Sequence, residues 1–88
     1  MAEKTITVSN RAGIHARPAA IIVQATKNFA CNVYFERGND RINAKSIMGI
    51  ITLGAAYGTE IKIVAEGDGE EAAVNTLARL FESKFEEE

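Results

Sequence analysis

One cysteine, one histidine and one proline occur in 88 residues, and each scarcity closes off a possibility. Cys31 alone cannot form an intramolecular disulfide. It opens a segment that reads as a strand, where it fits as a small buried hydrophobe rather than a nucleophile. With one thiol and one imidazole, a metal site lacks nitrogen and sulfur ligands, so neither metal nor cofactor is expected. A basic excess is also missing. Ten Lys and Arg stand against 12 Asp and Glu, for a net charge of -2, whereas a binder of phosphate backbones carries clustered positive charge. No apolar run approaches the roughly 20 residues of a membrane-crossing helix. Met1-Ala2-Glu3-Lys4 leads into an alternating strand, not an apolar signal segment. The expectation is a cytoplasmic protein that binds neither nucleic acid nor membrane. The longest run of one sign, Glu86-Glu87-Glu88, is expected to be a solvated, frayed end.

What is present is apolar and evenly spread. Hydrophobic residues make up 47% of the chain, enough for one core, and the length fits a single domain over residues 1–88. Thr5-Ile6-Thr7-Val8 alternates with the period of a half-buried strand. From Ala16 to about Lys27, Ala19, Ile22, Val23 and Thr26 recur at helical spacing. Pro18 is tolerated there because first-turn amides have no intrahelical acceptor to lose. Asn32 to Glu36 alternates again, Arg37-Gly38-Asn39-Asp40 reads as a turn, and Arg41-Ile42-Asn43 as the return strand of a hairpin. Ser46 is a favoured N-cap and predicts a brief helix from Ile47. Glu60 to Glu66 is the cleanest strand. Asp68 and Glu71 resemble a capping box before a last helix with Val74, Leu77, Phe81 and Phe85 along one stripe. The order β-α-β-β-α-β-α predicts an α+β fold, an open-faced β-sandwich in which a four-stranded antiparallel sheet carries three helices on one face.

The most informative segment is Gly13-Ile14-His15-Ala16-Arg17-Pro18-Ala19-Ala20. It places His15 where a loop becomes a helix. Free amides and the helix dipole put about half a positive charge at such a terminus, which binds anions readily. The same dipole disfavours imidazolium and so favours a neutral, nucleophilic ring. A phosphoryl group on that ring would face the amides of Ala16 and Arg17, and the Arg17 guanidinium is a fork suited to its oxygens. Small Ala16, Ala19 and Ala20 leave the site open. A blander reading makes His15 a surface cap and Arg17 a solvated charge. Ser46 has a similar pair of readings: a plain N-cap, or a place where phosphate would meet helix amides and Lys45. Ile47, Met48 and Ile51 lie one helical turn apart, a spacing that is usually core.

These motifs tip the balance. GIHARPA at 13–19, KSIMGI at 45–50, LGAAYG at 53–58 and the final amphipathic helix together resemble the histidine-containing phosphocarrier (HPr) family of the bacterial phosphoenolpyruvate-dependent sugar phosphotransferase system, over nearly the whole chain. The resemblance implies that His15 accepts a phosphoryl group at Nδ1 from phosphorylated enzyme I, itself charged by phosphoenolpyruvate. It implies donation of the group to the IIA domains of sugar permeases, with Arg17 helping to hold it. Such a protein is a stoichiometric carrier, not a turnover enzyme, and is expected to act as a monomer. The KSIMG motif further implies regulatory phosphorylation of Ser46 by an ATP-dependent HPr kinase/phosphorylase, with a catabolite-control transcription factor as another partner. The implied docking patch comprises Ala16, Ala20, Ile47, Met48 and Ile51, beside Arg17. Lys27 and Lys45 form a basic rim for acidic partners, thinner at Gln24, where some relatives carry lysine.

Two other readings stay open on the residues. One is a regulatory member of the same fold, read by a kinase or transcription factor rather than feeding sugar import. The other is an unrelated ferredoxin-like module for a metabolite or RNA. An RNA-binding sheet needs exposed aromatic and basic residues on its strands, and Tyr34 and Phe35 point to opposite faces.

Overall fold

The alternation of Val33 and Phe35 with Tyr34 and Glu36 fixes which side of the central sheet is dry. In a computed structural model, which describes residues 1–86 with side chains as far as Phe85, Val33 and Phe35 are buried on strand β2 (Asn32–Arg37). The acidic run over 86–88, expected above as a solvated end, falls outside the described side chains. Around β2 the elements run β1 (Ala2–Thr7), α1 (Ala16–Thr26), β2, β3 (Asp40–Asn43), α2 (Ile47–Leu53), β4 (Glu60–Glu66) and α3 (Glu70–Glu82), followed by a 3-10 turn at Lys84–Glu86. The sheet order is β1-β4-β2-β3 with every neighbouring pair antiparallel. This is the open-faced α+β arrangement that the element order predicts.

Register aligns the apolar faces. Phe35 lies opposite Ile63 and Val33 opposite Ala65, while Ile6 pairs with Ile61. Their side chains join Ala19 and Ile22 of α1, Ile50 and Leu53 of α2, and Val74, Leu77 and Phe81 of α3 in one buried cluster. Each large aliphatic or aromatic side chain in such a cluster stabilises the fold by about 1.5–3 kcal/mol relative to exposure. The opposite face is wet. Lys62 approaches Glu3 at 3.8 Å and Arg41 meets Glu36 at 2.9 Å, exposed pairs that each contribute little. Tyr34, on that face, is capped by the Arg41 guanidinium 4.2 Å from its ring centre. One face of its ring is therefore covered within the fold, which counts against a stacking platform for nucleic acid on this sheet.

Four local expectations change. β1 begins at Ala2 and ends at Thr7 rather than running over 5–8. Lys4 shares the helix-side phase of Ala2 and Ile6 and breaks the alternation, but at a sheet edge its ammonium still reaches water. Asp40 belongs to β3, paired with Arg37. The turn narrows to Gly38-Asn39, with Gly38 at φ +59°. The capping box at Asp68 and Glu71 is not formed, because Gly69 occupies the cap position at φ +81° and has no side chain to cap with. Glu70 serves there instead, accepting from the Gly67 N–H at 3.1 Å and pairing with the Met1 ammonium at 2.8 Å. Phe85 is buried as the stripe predicts, but not by a continued helix. Lys84 and Phe85 take φ of +56° and +55°, which turns the Phe85 ring onto Phe81, centroids 5.0 Å apart and edge to face. Burial of that aromatic edge offsets the cost of left-handed backbone.

Candidate functional site

The loop between β1 and α1 is held from below. Val8 is buried and tied to the loop after α2 by Val8 N–H to Thr59 O and Gly58 N–H to Val8 O, both 2.8 Å. Gly13 then takes φ +73°, and an added Cβ would lie 2.8 Å from Ala55 O. Glycine is thus required twice over at 13, for its backbone angle and for the close approach of loop 54–58. The next amide, Ile14 N–H, donates to Ala55 O at 2.8 Å. Asn10, almost fully buried, accepts the Gly13 N–H on its main-chain oxygen and donates from its side-chain amide to Gly13 O. Its Oδ1 has no hydrogen-bond partner among the described residues.

That scaffold delivers His15 to the surface as the N-cap of α1. Its backbone is extended (φ -98°, ψ -165°), its carbonyl accepts Ala19 N–H at 3.0 Å, and its imidazole makes no cap bond to the helix amides. Pro18, third in the helix, contributes no N–H. The first turn therefore offers the amides of Ala16 and Arg17, with no acidic residue there to compete. His15, Ala16 and Arg17 are exposed. The arrangement is an open, positively biased terminus with a guanidinium on the second residue, suited to an anion carried on the ring.

The docking residues divide by element. Ala16, Ala20 and Gln24 are exposed along one i, i+4 stripe of α1, with Lys27 exposed just past its end. α2 packs against α1 and against β3. Its seven residues turn Ile50 and Leu53 inward, leaving Ile47 41%, Met48 67% and Ile51 43% exposed. These three do not serve the core, although the spacing alone allowed it. Ser46 caps α2 as expected, its Oγ accepting Gly49 N–H at 3.1 Å. Lys45 departs from the expected free rim. It is half-buried, and its Nζ donates to Phe29 O at 2.8 Å, just beyond the end of α1. Its charge therefore sits between the helices, and Lys27 is the more open of the two.

Two features escaped the sequence reading. Asn10 lay inside a segment read only as polar loop, although an Asn three residues before Gly is a turn signal. Tyr57, 63% exposed between Gly54 and Gly58, sits in the loop that supports Gly13 and Ile14. An aromatic flanked by glycines in a loop could have marked it.

Comparison with known proteins agrees with this geometry. A family model described as the PTS HPr component phosphorylation site matches residues 2–83. The chain is 51% identical to the phosphocarrier protein HPr of Treponema pallidum (strain Nichols) over 88 residues, the whole of both chains. It is 38% identical over 78 residues to the HPr-like protein Crh of Bacillus subtilis (strain 168), covering 89% of this chain and 92% of that one. The crystal structure of HPr-C-His from Thermoanaerobacter tengcongensis superposes with a TM-score of 0.96 at 50% identity, covering 100% of this chain and 99% of that one. The exposed histidine at the open start of α1, the serine that caps α2 and the helix-on-sheet frame thus fall within one lineage, and the chain belongs to the HPr family of phosphotransferase-system phosphocarriers.

Proposed function

We propose that this chain takes a phosphoryl group onto Nδ1 of His15 from phosphorylated enzyme I and passes it to IIA domains of sugar permeases. It acts stoichiometrically, as a monomer of one domain in the cytoplasm. The observation that carries the reading is the α1 terminus: an N-cap imidazole not used for capping, two first-turn amides, no acid, and Arg17. The ring nitrogen forms the N–P bond as the bond to the donor breaks, and the reverse exchange delivers the group to the acceptor. Arg17 and the two amides offset the charge on the phosphoryl oxygens. Ala16, Ala20, Ile47, Met48 and Ile51 form the apolar surface that receives both partners, with Gln24, Lys27 and Lys45 at its border.

Ser46 is the regulatory site on this reading, modified by an HPr kinase/phosphorylase. A phosphate there adds about -1.5 to -2 charges beside the apolar patch and weakens association with enzyme I. The mainly regulatory alternative draws on the likeness to Crh and on the KSIMG motif. Retention of His15 with its open helix start favours the carrier role.

Mass measurement after incubation with enzyme I and phosphoenolpyruvate tests the carrier role. An acid-labile phosphoryl adduct is expected on the wild type and not on His15→Ala. No adduct, or one that survives the substitution, would overturn the reading. Incubation with ATP and HPr kinase is expected to give an acid-stable adduct, absent in Ser46→Ala.

A further inference from the structure

The peptide unit between Gly13 and Ile14, one residue before His15, is gripped at both ends. Its N–H donates to Ala55 O across the loop, and its C=O accepts from the Asn10 side-chain amide. Ser9 Oγ also ties the start of this loop to Phe81 O at 3.2 Å, but the bond to the Gly13–Ile14 peptide itself comes from the Asn10 amide. Asn10 is 1% exposed, and its orientation is set by chemistry, since a flipped amide would bring two carbonyl oxygens together. Its Oδ1 is left without a partner among the described residues. The side chain therefore serves this loop through its N–H group alone.

We infer that Asn10 is a positioning residue for phosphoryl transfer, holding the Gly13–Ile14 peptide so that the His15 ring is presented in one orientation to donor and acceptor. The inference rests on the carrier role proposed above. Asn10 is buried beneath the loop and out of a docking partner's reach, so its loss acts on the chemical step rather than on association. Small misplacements of a reacting group are costly even when binding is intact.

The test compares steady-state phosphorylation by enzyme I and phosphoenolpyruvate for wild type, Asn10→Ala and Ile63→Ala, each normalised to its folded fraction. Ile63 lies in mid-β4 opposite Lys4 and Phe35, so its truncation destabilises the fold away from the loop. For Asn10→Ala, kcat is expected to fall roughly tenfold with KM for the carrier unchanged, while Ile63→Ala keeps both. Equal kcat for Asn10→Ala and wild type, or an equal fall in Ile63→Ala, would overturn the inference. Should Asn10→Ala fail to fold, the wild type alone decides. An NMR coupling across the hydrogen bond from the Asn10 amide to the Gly13 carbonyl is expected, and its absence is the overturning result. Failure of the underlying carrier reading shows separately, as a wild type that takes no phosphoryl group or a His15→Ala variant that still does.

Discussion

Ser46 has a structural role that stands apart from the regulatory one proposed for it. Its Oγ accepts Gly49 N–H and so closes the first turn of α2, a seven-residue helix with little length to stabilise itself. Ser46→Ala is expected to cost about 1 kcal/mol of folding stability, the usual worth of such a cap, readable in urea denaturation. Ser46→Asp retains an acceptor and should recover most of that loss while weakening enzyme I binding. Recovery of stability together with undiminished binding would argue against a gating role for charge at this position. The sequence made Ser46 legible because a cap announces itself by residue type and place. It could not show that Lys45 leans away to Phe29 O, since that bond joins segments 16 residues apart.

At the scale of elements, patterns with a period were readable and terminations were not. α2 and β4 fall where the serine cap and the apolar alternation placed them. The start of α3 was misread because Asp68 and Glu71 have the right spacing for a box, while the chain puts Gly69 at the cap. Glu70 then becomes the working residue. Its carboxyl is held below the ordinary range, first by the hydrogen bond from the Met1 ammonium and next by the Gly67 N–H. The Met1 ammonium is correspondingly raised above its ordinary value, chiefly by its bond to Glu70. A lowered acid stabilises the fold above its unfolded-state value and loses that contribution as pH falls through the folded one. A raised amine does the reverse, acting below its unfolded-state value and losing its contribution as pH rises through the folded one. Glu70→Gln should therefore lower the melting temperature near about pH 7 and narrow its gap to wild type as pH falls towards about 3. A gap that stays constant across that range would remove the ionic account of this helix start.

For the molecule as a whole, the candidate site is assembled from two helices and two loops that are distant in sequence. The histidine segment was legible because glycine, proline and arginine crowd around it in seven residues. The outward aspect of Ile47, Met48 and Ile51 was legible only through the family resemblance, because helical spacing alone does not say which side meets the core. Only the packing of Ile50 and Leu53 decides it. Since Met48 is the most exposed of the three, Met48→Glu should leave thermal stability within about 0.5 kcal/mol. It should raise the Kd for enzyme I and for a IIA domain together, by roughly tenfold for a charge set in an apolar patch. Titration calorimetry with each partner measures both. A variant that lost one partner and kept the other would divide the surface into separate docking areas.

Pro18 bears on how a relay is poised. By occupying the third position of α1 it removes one N–H from the first turn, leaving those of Ala16 and Arg17. A further amide donor to a charged oxygen would deepen the phosphorylated state by about 1.5–3 kcal/mol, a tenfold or greater change in partition between carrier and acceptor. A carrier with that extra depth would fill readily and empty slowly, acting as a reservoir rather than a conduit. On the proposed carrier reading, the missing amide keeps the two directions of exchange closer to parity, so that flow follows the supply of donor and the demand of acceptor.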